Sequence, residues 1–303
     1  MKSVLITGCS GFLGLQLVRL LREHTEMHLH GCDLSAPGDP SLLDSFQQAD
    51  LATTQGRKAL VDLVERVRPD EIHHLAGVFR GDPALMTDVN VAAAAALLEG
   101  VRQHVPEARV LLVGSAAEYG APHSGPFSES DACRPANMYG ATKLAQTIIG
   151  QTAHRQHGLS VLVARPFNIF GPGIPESLFP GRILAQAAKA MSGDGVVRMG
   201  PLGAVRDYLP SSEICRAFAG IMSDGSPGAI YNVCSGTETR IRDLANRILE
   251  AFPSPLELEE SGGDTGVSIA IGDPGRFKTD IGVALSMDLE PAIRQAVDHI
   301  LAS

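Results

Sequence analysis

The sequence predicts an α/β protein: a doubly wound parallel sheet with a smaller C-terminal domain. Three observations carry that expectation. The chain opens on a short apolar run, Ser3 to Thr7, then the turn Gly8-Cys9-Ser10-Gly11-Phe12-Leu13-Gly14, then apolar residues at helical spacing, Leu13, Leu17, Leu20 and Leu21. Strand and helix signals keep alternating to about residue 167, as in a parallel sheet covered on both faces. Beyond Gly171 proline and glycine become frequent and the elements shorten.

Element by element, Met27 to Cys32 reads as the second strand and ends at Asp33. Leu34 to Gln55 is polar and proline-bearing and reads as loop with a short helix. Leu60, Leu63, Val64 and Val67 form a helical face. Glu71 to Leu75 begins a strand that runs into His74-Leu75-Ala76-Gly77. A long helix is expected from Pro83 to His104, and Arg109 to Ser115 is a continuous apolar strand. A loop with Pro122, Pro126 and Pro135 leads to a helix from Met138 to His157. Leu159 to Arg165 is the next strand. Further on, helices are expected at Leu178 to Met191, Ser212 to Met222, Ile241 to Ala251 and Leu289 to Leu301, with strands at Val196 to Met199 and Ile230 to Cys234. The last helix places Leu289, Ile293, Val297 and Ile300 on one face. The sheet domain is expected to span 1–167 plus a return segment near 206–236, and the smaller domain 168–205 and 237–303.

Bulk properties narrow the function classes. A chain of 303 residues with 44% hydrophobic content holds one large domain or two joined ones. Net charge is −9 with no basic cluster, which points away from nucleic acid and anionic membranes as partners. Five cysteines are scattered with no CxxC pair and no histidine at metal spacing. Reduced thiols, no metal and a cytoplasmic location are the expectations. Neither a signal peptide nor an apolar run long enough to span a membrane is read in the sequence.

The opening strand, turn and helix form the arrangement that brings a pyrophosphate to a helix N-terminus. Gly8 allows the tight turn, Gly11 the approach to phosphate, and Gly14 the close packing of helix on strand. Asp33 follows at the distance expected of a partner for the ribose hydroxyls of NAD. The second constellation is Tyr139-Gly140-Ala141-Thr142-Lys143. Positions i and i+4 share a helix face, so the Tyr139 hydroxyl and the Lys143 ammonium can reach one site. A nearby cation favours the phenolate and lowers its pKa, which equips the pair to move a proton to or from a carbonyl or hydroxyl. Ser115, at the end of the preceding strand, can hydrogen-bond the same oxygen.

With these residues in place, the sequence resembles the extended short-chain dehydrogenase/reductase family, in the branch acting on nucleotide-diphosphate sugars. The matching pieces are Thr7 to Gly14, Asp33, His74 to Gly77, Asn90, Gly114 to Gly120, Tyr139 to Lys143 and Arg165 to Pro172. The resemblance implies a Rossmann domain with a substrate domain, and catalysis by Ser115, Tyr139 and Lys143. It implies cofactor contacts from Gly8, Ser10, Gly11, Phe12, Leu13, Gly14, Asp33, Leu75, Ala76, Gly77, Asn90, Tyr139, Lys143 and Pro166. Glu118, Asn168 and Arg206 are the substrate candidates, Asn168 and Arg206 at the diphosphate, where an arginine fork suits phosphate oxygens. A homodimer built on the Asn90 and Tyr139 helices is also implied. The segments Gly203 to Tyr208 and Ile230 to Ile241 look like those of GDP-4-keto-6-deoxymannose reductases.

Absences matter too. Sugar-nucleotide dehydratases place an acid and a base directly after the catalytic Ser/Thr; Ala116 and Ala117 stand there here, and methyl groups transfer no protons. Strand alternation is expected to turn Glu118 away from the face of Ser115. Asp33 opposes the 2′-phosphate of NADP, and Leu34 and Ser35, not an arginine, follow it. NAD is therefore the expected cofactor, with NADP possible, and a 4-epimerase is the alternative to a reductase. A non-catalytic NAD(P)-binding scaffold is a further alternative, against which both Tyr139 and Lys143 weigh. His73 and His74 are read as packing or loop residues, Cys133 as a small loop filler, and His154 and His157 as exposed.

Overall fold

The computed structural model describes residues 1–23, 26–121, 125–262 and 268–302. In chain order the first part comprises β1 (Lys2–Thr7), α1 (Phe12–Arg22), β2 (Met27–Asp33), β3 (Ser45–Gln48), α2 (Thr54–Val67), β4 (Glu71–His74), α3 (Pro83–Thr87), α4 (Ala93–His104), β5 (Arg109–Val113), α5 (Met138–His157) and β6 (Ser160–Pro166). Then follow β7 (Asn168–Phe170), α6 (Phe179–Ala190), β8 (Val196–Met199), β9 (Val205–Arg206), β10 (Tyr208–Pro210), α7 (Ser211–Asp224) and β11 (Ile230–Val233). The chain closes with β12 (Thr239–Arg240), α8 (Ile241–Glu250), β13 (Glu257–Glu260), β14 (Ile269–Ala270), α9 (Gly275–Asp280) and α10 (Glu290–Leu301).

Seven strands form the central sheet in the order β3-β2-β1-β4-β5-β6-β11, all neighbours parallel. The order reverses between β1 and β4, where the carboxyl ends of the strands open a crevice. Leu5, Ile72, Leu112 and Val163 pack with Leu60, Leu63, Leu97 and Val101 of α2 and α4 on one face. Ile6, Leu111 and Leu162 face α1 and α7 on the other. A separate apolar cluster gathers α6, α8 and α10, with Ile183, Leu244, Ile248, Ile293 and Val297 at its centre.

Most expected elements are present, and four expectations change. Leu34 to Gln55 is not simply loop: it carries a short helical turn, Pro40–Leu42, and β3. Polar Ser45, Gln47 and Gln48 hid this strand because it lies at the sheet edge, where only one side is paired. The Pro83–His104 helix contains a widened π turn, Asp88–Ala92, that holds Asn90. The return to the sheet runs through α7 and β11, whereas Arg206 lies in β9, paired with β12 and β14. The fourth concerns the membrane reading: Pro83–His104 is long and apolar enough to cross a membrane by length and composition, and half of its most apolar window is buried inside the protein. The expected loop at Pro122 and part of the Ser254 to Gly272 region fall outside the described residues.

α5 is unlike the other long helices. Its buried face is largely polar, with Thr142, Lys143, Gln146 and Thr147 turned inward. Asn137 caps its start by accepting the Gly140 N–H at 2.9 Å, which places Tyr139 in the first turn.

Candidate active site

Gly8 directly follows β1 with φ 72°, a conformation that favours glycine, and a Cβ there would stand 2.7 Å from the Ala76 nitrogen. A Cβ on Gly14 would stand 1.9 Å from the Gly8 carbonyl oxygen, so α1 packs directly on the turn. The first turn of α1 has neither a side-chain cap nor an acidic residue, which leaves its N–H groups available to an anion. A cavity of about 490 Å³ opens beside it, walled by Gly8, Gly11, Phe12, Leu13, Gly14, Asp33, Leu75, Ala76 and Gly77 among others.

Asp33 closes one end of this cavity. Its carboxylate accepts the Ser10 N–H at 2.8 Å and the Leu34 N–H at 2.6 Å. Ser10 turns its own hydroxyl to the Ser35 carbonyl at 2.7 Å, so it braces the acidic loop. Asp50, which the sequence reading missed, also lines the cavity, and no Lys, Arg or His does so among the described residues. Phosphate-facing backbone at one end and carboxylates at the other fit a dinucleotide with free ribose hydroxyls. Five expected cofactor contacts, Ser10, Asn90, Tyr139, Lys143 and Pro166, stand back from the cavity wall. Asn90 is fully buried, accepts the Val78 N–H and donates to the Val78 carbonyl, both at 2.8 Å, and donates to Thr142 Oγ1 at 2.9 Å. It braces the cavity loop against α5. Pro166 is buried at the end of β6, opposite Val233 of β11.

Tyr139 and Lys143 stand behind the cavity wall, Tyr139 against Phe79 and Lys143 on the Val113 carbonyl, both of which are lining residues, and Ser115 follows two positions after Val113. The Ser115 side chain acts on the Tyr139 phenol and pulls its pKa down. Lys143 Nζ donates to the Val113 carbonyl at 2.7 Å and to Gln146 Oε1 at 2.8 Å. Burial pulls its pKa down to about 8, against the pull of the Glu118 charge. Burial pushes the Tyr139 pKa up. Ser115 works against the rise of the Tyr139 pKa, and the Lys143 ammonium is engaged by Val113 and Gln146. Phe79, also on the cavity wall, meets Tyr139 edge-on with ring centroids 6.4 Å apart.

On the opposite side, β7 pairs with β10 and sets Asn168 beside Asp207. Both the backbone N–H and Nδ2 of Asn168 donate to the Asp207 carbonyl, at 2.9 and 3.0 Å. Arg206, half-buried, holds its Nη1 on the Val205 and Ser268 carbonyls at 2.8 and 2.7 Å. Asp207 is buried, and its carboxylate accepts the Ser235 and Gly236 N–H groups at 2.8 and 2.9 Å and the Ser235 hydroxyl at 2.7 Å. It anchors the loop after β11, a role its sequence neighbours did not signal.

Glu118 is the substrate candidate that the structure overturns. Ser115 leaves the strand and caps a single helical turn, Ala116–Glu118, so strand alternation does not govern Glu118. The side chain is fully buried and paired with Arg165 at 2.8 Å, which leaves it out of reach of a substrate. Arg165 is a second residue the sequence reading left unassigned; its guanidinium lies 4.8 Å from the Tyr119 ring centroid. His73 and His74 are buried within β4, in keeping with a packing role. His154, expected exposed, is half-buried with Nδ1 2.8 Å from the Leu159 carbonyl.

Known proteins are similar to this chain over most of its length. Residues 4–234 match the NAD dependent epimerase/dehydratase family. A GDP-6-deoxy-D-mannose reductase of Pseudomonas aeruginosa is 31% identical over 268 residues, covering 85% of this chain and 82% of the relative. A dTDP-glucose 4,6-dehydratase of Streptomyces griseus is 26% identical over 317 residues, covering 97% of this chain and 92% of that protein. The solved structure of RMD from Pseudomonas aeruginosa complexed with NADPH superposes with a TM-score of 0.87 at 26% identity, covering 100% of this chain and 99% of that one. A glycine turn closed on α1, a doubly wound sheet and a match over most of the sheet-forming chain place this protein in the NAD dependent epimerase/dehydratase family.

Proposed function

We propose that this chain is an NAD(P)-dependent reductase of the 4-keto group of a nucleotide-diphosphate sugar, of the GDP-4-keto-6-deoxymannose type. The observation that carries the reading is the placing of Tyr139 and Lys143, with Ser115 beside them, directly behind the dinucleotide-shaped cavity, against its lining residues Phe79, Gly77 and Val113. The nicotinamide cofactor, when bound, supplies the hydride. Tyr139 donates its phenolic proton to the oxygen at the sugar C4 as that oxygen gains charge. Ser115 shares the hydrogen bond and holds the carbonyl in line. Lys143, anchored on Val113 and Gln146, supplies the positive charge beside the cofactor ribose. Arg206 and Asn168 take the diphosphate side.

Dehydration is disfavoured for this chain. Ala116 and Ala117 offer no acid or base, and Glu118, the carboxylate nearest in sequence, is committed to Arg165. Asp33 and Asp50 at the ribose end favour NAD over NADP and support a second reading, an NAD-dependent 4-epimerase acting through the same residues. We also assign the protein to the cytoplasm on its five free thiols, and to a homodimer through α5, where Ile148 is half-exposed.

The test is NADH or NADPH oxidation with GDP-4-keto-6-deoxymannose. Tyr139→Phe is expected to lose at least about 100-fold in kcat while binding cofactor as wild type does; a fully active variant sinks the mechanism. Stoichiometric NAD released on denaturing the purified protein favours the epimerase.

A further inference from the structure

We propose that Glu118 is the positioning residue of this site, a buried carboxylate that ties Ser115, the Tyr139–Lys143 helix and β6 into one rigid unit. The inference rests on the catalytic reading of Ser115, Tyr139 and Lys143. Its basis is a set of three donors from three separate elements. Oε1 accepts the Ser115 backbone N–H at 2.9 Å. Oε2 accepts the Thr147 hydroxyl at 2.9 Å and Arg165 Nε at 2.8 Å. Thr147 stands one helical turn beyond Lys143 on the same face of α5. A single side chain thus links the strand end that presents Ser115 to the helix that presents the tyrosine and the lysine.

The surroundings are shaped to this contact. A Cβ on Gly114 would lie 2.3 Å from Glu118 Oε1, so glycine at that position is what admits the carboxylate under the end of β5. Tyr119 covers the Arg165 guanidinium, and its hydroxyl donates to Asn232 Oδ1 at 2.7 Å. Apolar packing is non-directional and tolerates sliding. The inward face of α5 is polar, so directional ties set its distance from Ser115. A buried ion pair adds little net stability compared with apolar residues of the same volume. Its position beneath the three site residues is therefore better explained by geometry than by stability.

Glu118 is also the charge that acts on both site groups: it raises the pKa of Tyr139 and opposes the fall of the Lys143 pKa. Arg165 from β6, Cys133 from the loop before α5, Tyr119 from its own turn, and Tyr139 and Lys143 from α5 are the titratable or charged groups around it.

The test uses Glu118→Gln and, because that change strands the Arg165 charge, the double variant Glu118→Gln/Arg165→Gln, which removes both charges together. The chain has four tyrosines and no tryptophan, so the ultraviolet difference between each protein and its Tyr139→Phe counterpart isolates the Tyr139 phenolate. In a folded variant the phenolate midpoint is expected to fall by about half a pH unit or more. kcat with GDP-4-keto-6-deoxymannose and NADH is expected to fall about 10- to 100-fold, with KM for the sugar nucleotide little changed. A folded variant that keeps either readout at its wild-type value overturns the proposal. If wild-type protein shows no turnover, the catalytic reading fails, and the Tyr139 midpoint alone decides the role of Glu118.

Discussion

Asn90 and Lys143 reach the same point from two different helices: a Cβ built on Gly77 would lie 3.2 Å from Asn90 Oδ1 and 3.2 Å from Lys143 Nζ. Asn90 gets there because the helix widens into a π turn around it, a feature frequent at functional sites. Gly77→Ala is therefore expected to displace the ammonium by a few tenths of an ångström. The fold should persist, and kcat should drop several-fold, about 1 kcal/mol in transition-state stabilisation. Steady-state kinetics with a melting curve on the same sample checks this.

Cofactor choice follows from the carboxylates at the ribose end. Asp33 holds both oxygens on backbone N–H groups, Asp50 lines the same cavity, and Leu34 beside Asp33 is 62% exposed. The 2′-phosphate of NADP would meet negative charge, and among the described residues no Lys, Arg or His lines the cavity to offset it. The kcat/KM ratio is expected to favour NADH over NADPH by about tenfold or more. Asp33→Asn with Leu34→Arg should reverse the preference, because an arginine fork there binds the extra phosphate.

Stability should decline in mild acid through two histidines. Burial lowers the pKa of His73 and of His74 to about 3, against 6.5 for the free side chain. Both are neutral in the folded chain and take up protons on unfolding below pH 6.5. Their contribution is complete above that value and is lost as pH falls towards 3, at about 1.4 kcal/mol per pH unit for each imidazole. Both ring nitrogens of His73 lack a hydrogen-bond partner, so His73→Leu should remove its share of the slope and leave the neutral-pH melting temperature unchanged or raised. Thermal melts between pH 7.5 and 5 measure it.

Thiol reactivity should be confined to one position. Cys9, Cys32, Cys215 and Cys234 are buried, and burial pushes their pKa values up, to about 11 for Cys9 and about 12 for Cys32 and Cys215. Cys133 is half-exposed. A thiol reagent at pH 8 is expected to titrate no more than one cysteine in the native protein and all five after denaturation. Rapid reaction of a second thiol in native protein would contradict the burial.

Much of this was legible in the sequence because it is local chemistry. A glycine turn between an apolar strand and a helical stripe encodes its own conformation, and so do the alternating strands and helices that form the sheet. Tyr139 and Lys143 are placed on one face by the helix repeat alone. Side-chain partnership across the chain is not local, and it escaped. Glu118 read as a substrate contact until the fold put it against Arg165, which lies 47 positions away. Asp50, Asp207 and the π turn at Asn90 carry no sequence signal of their own. Lys143 illustrates the limit most clearly: the i+4 spacing brings it near Tyr139, but the partners of its ammonium are the Val113 carbonyl on another strand and Gln146. Local pattern determined the fold class and which residues converge. Burial and long-range hydrogen bonds, which exist only once the sheet has brought distant strands together, decided the charge state and the partners of each.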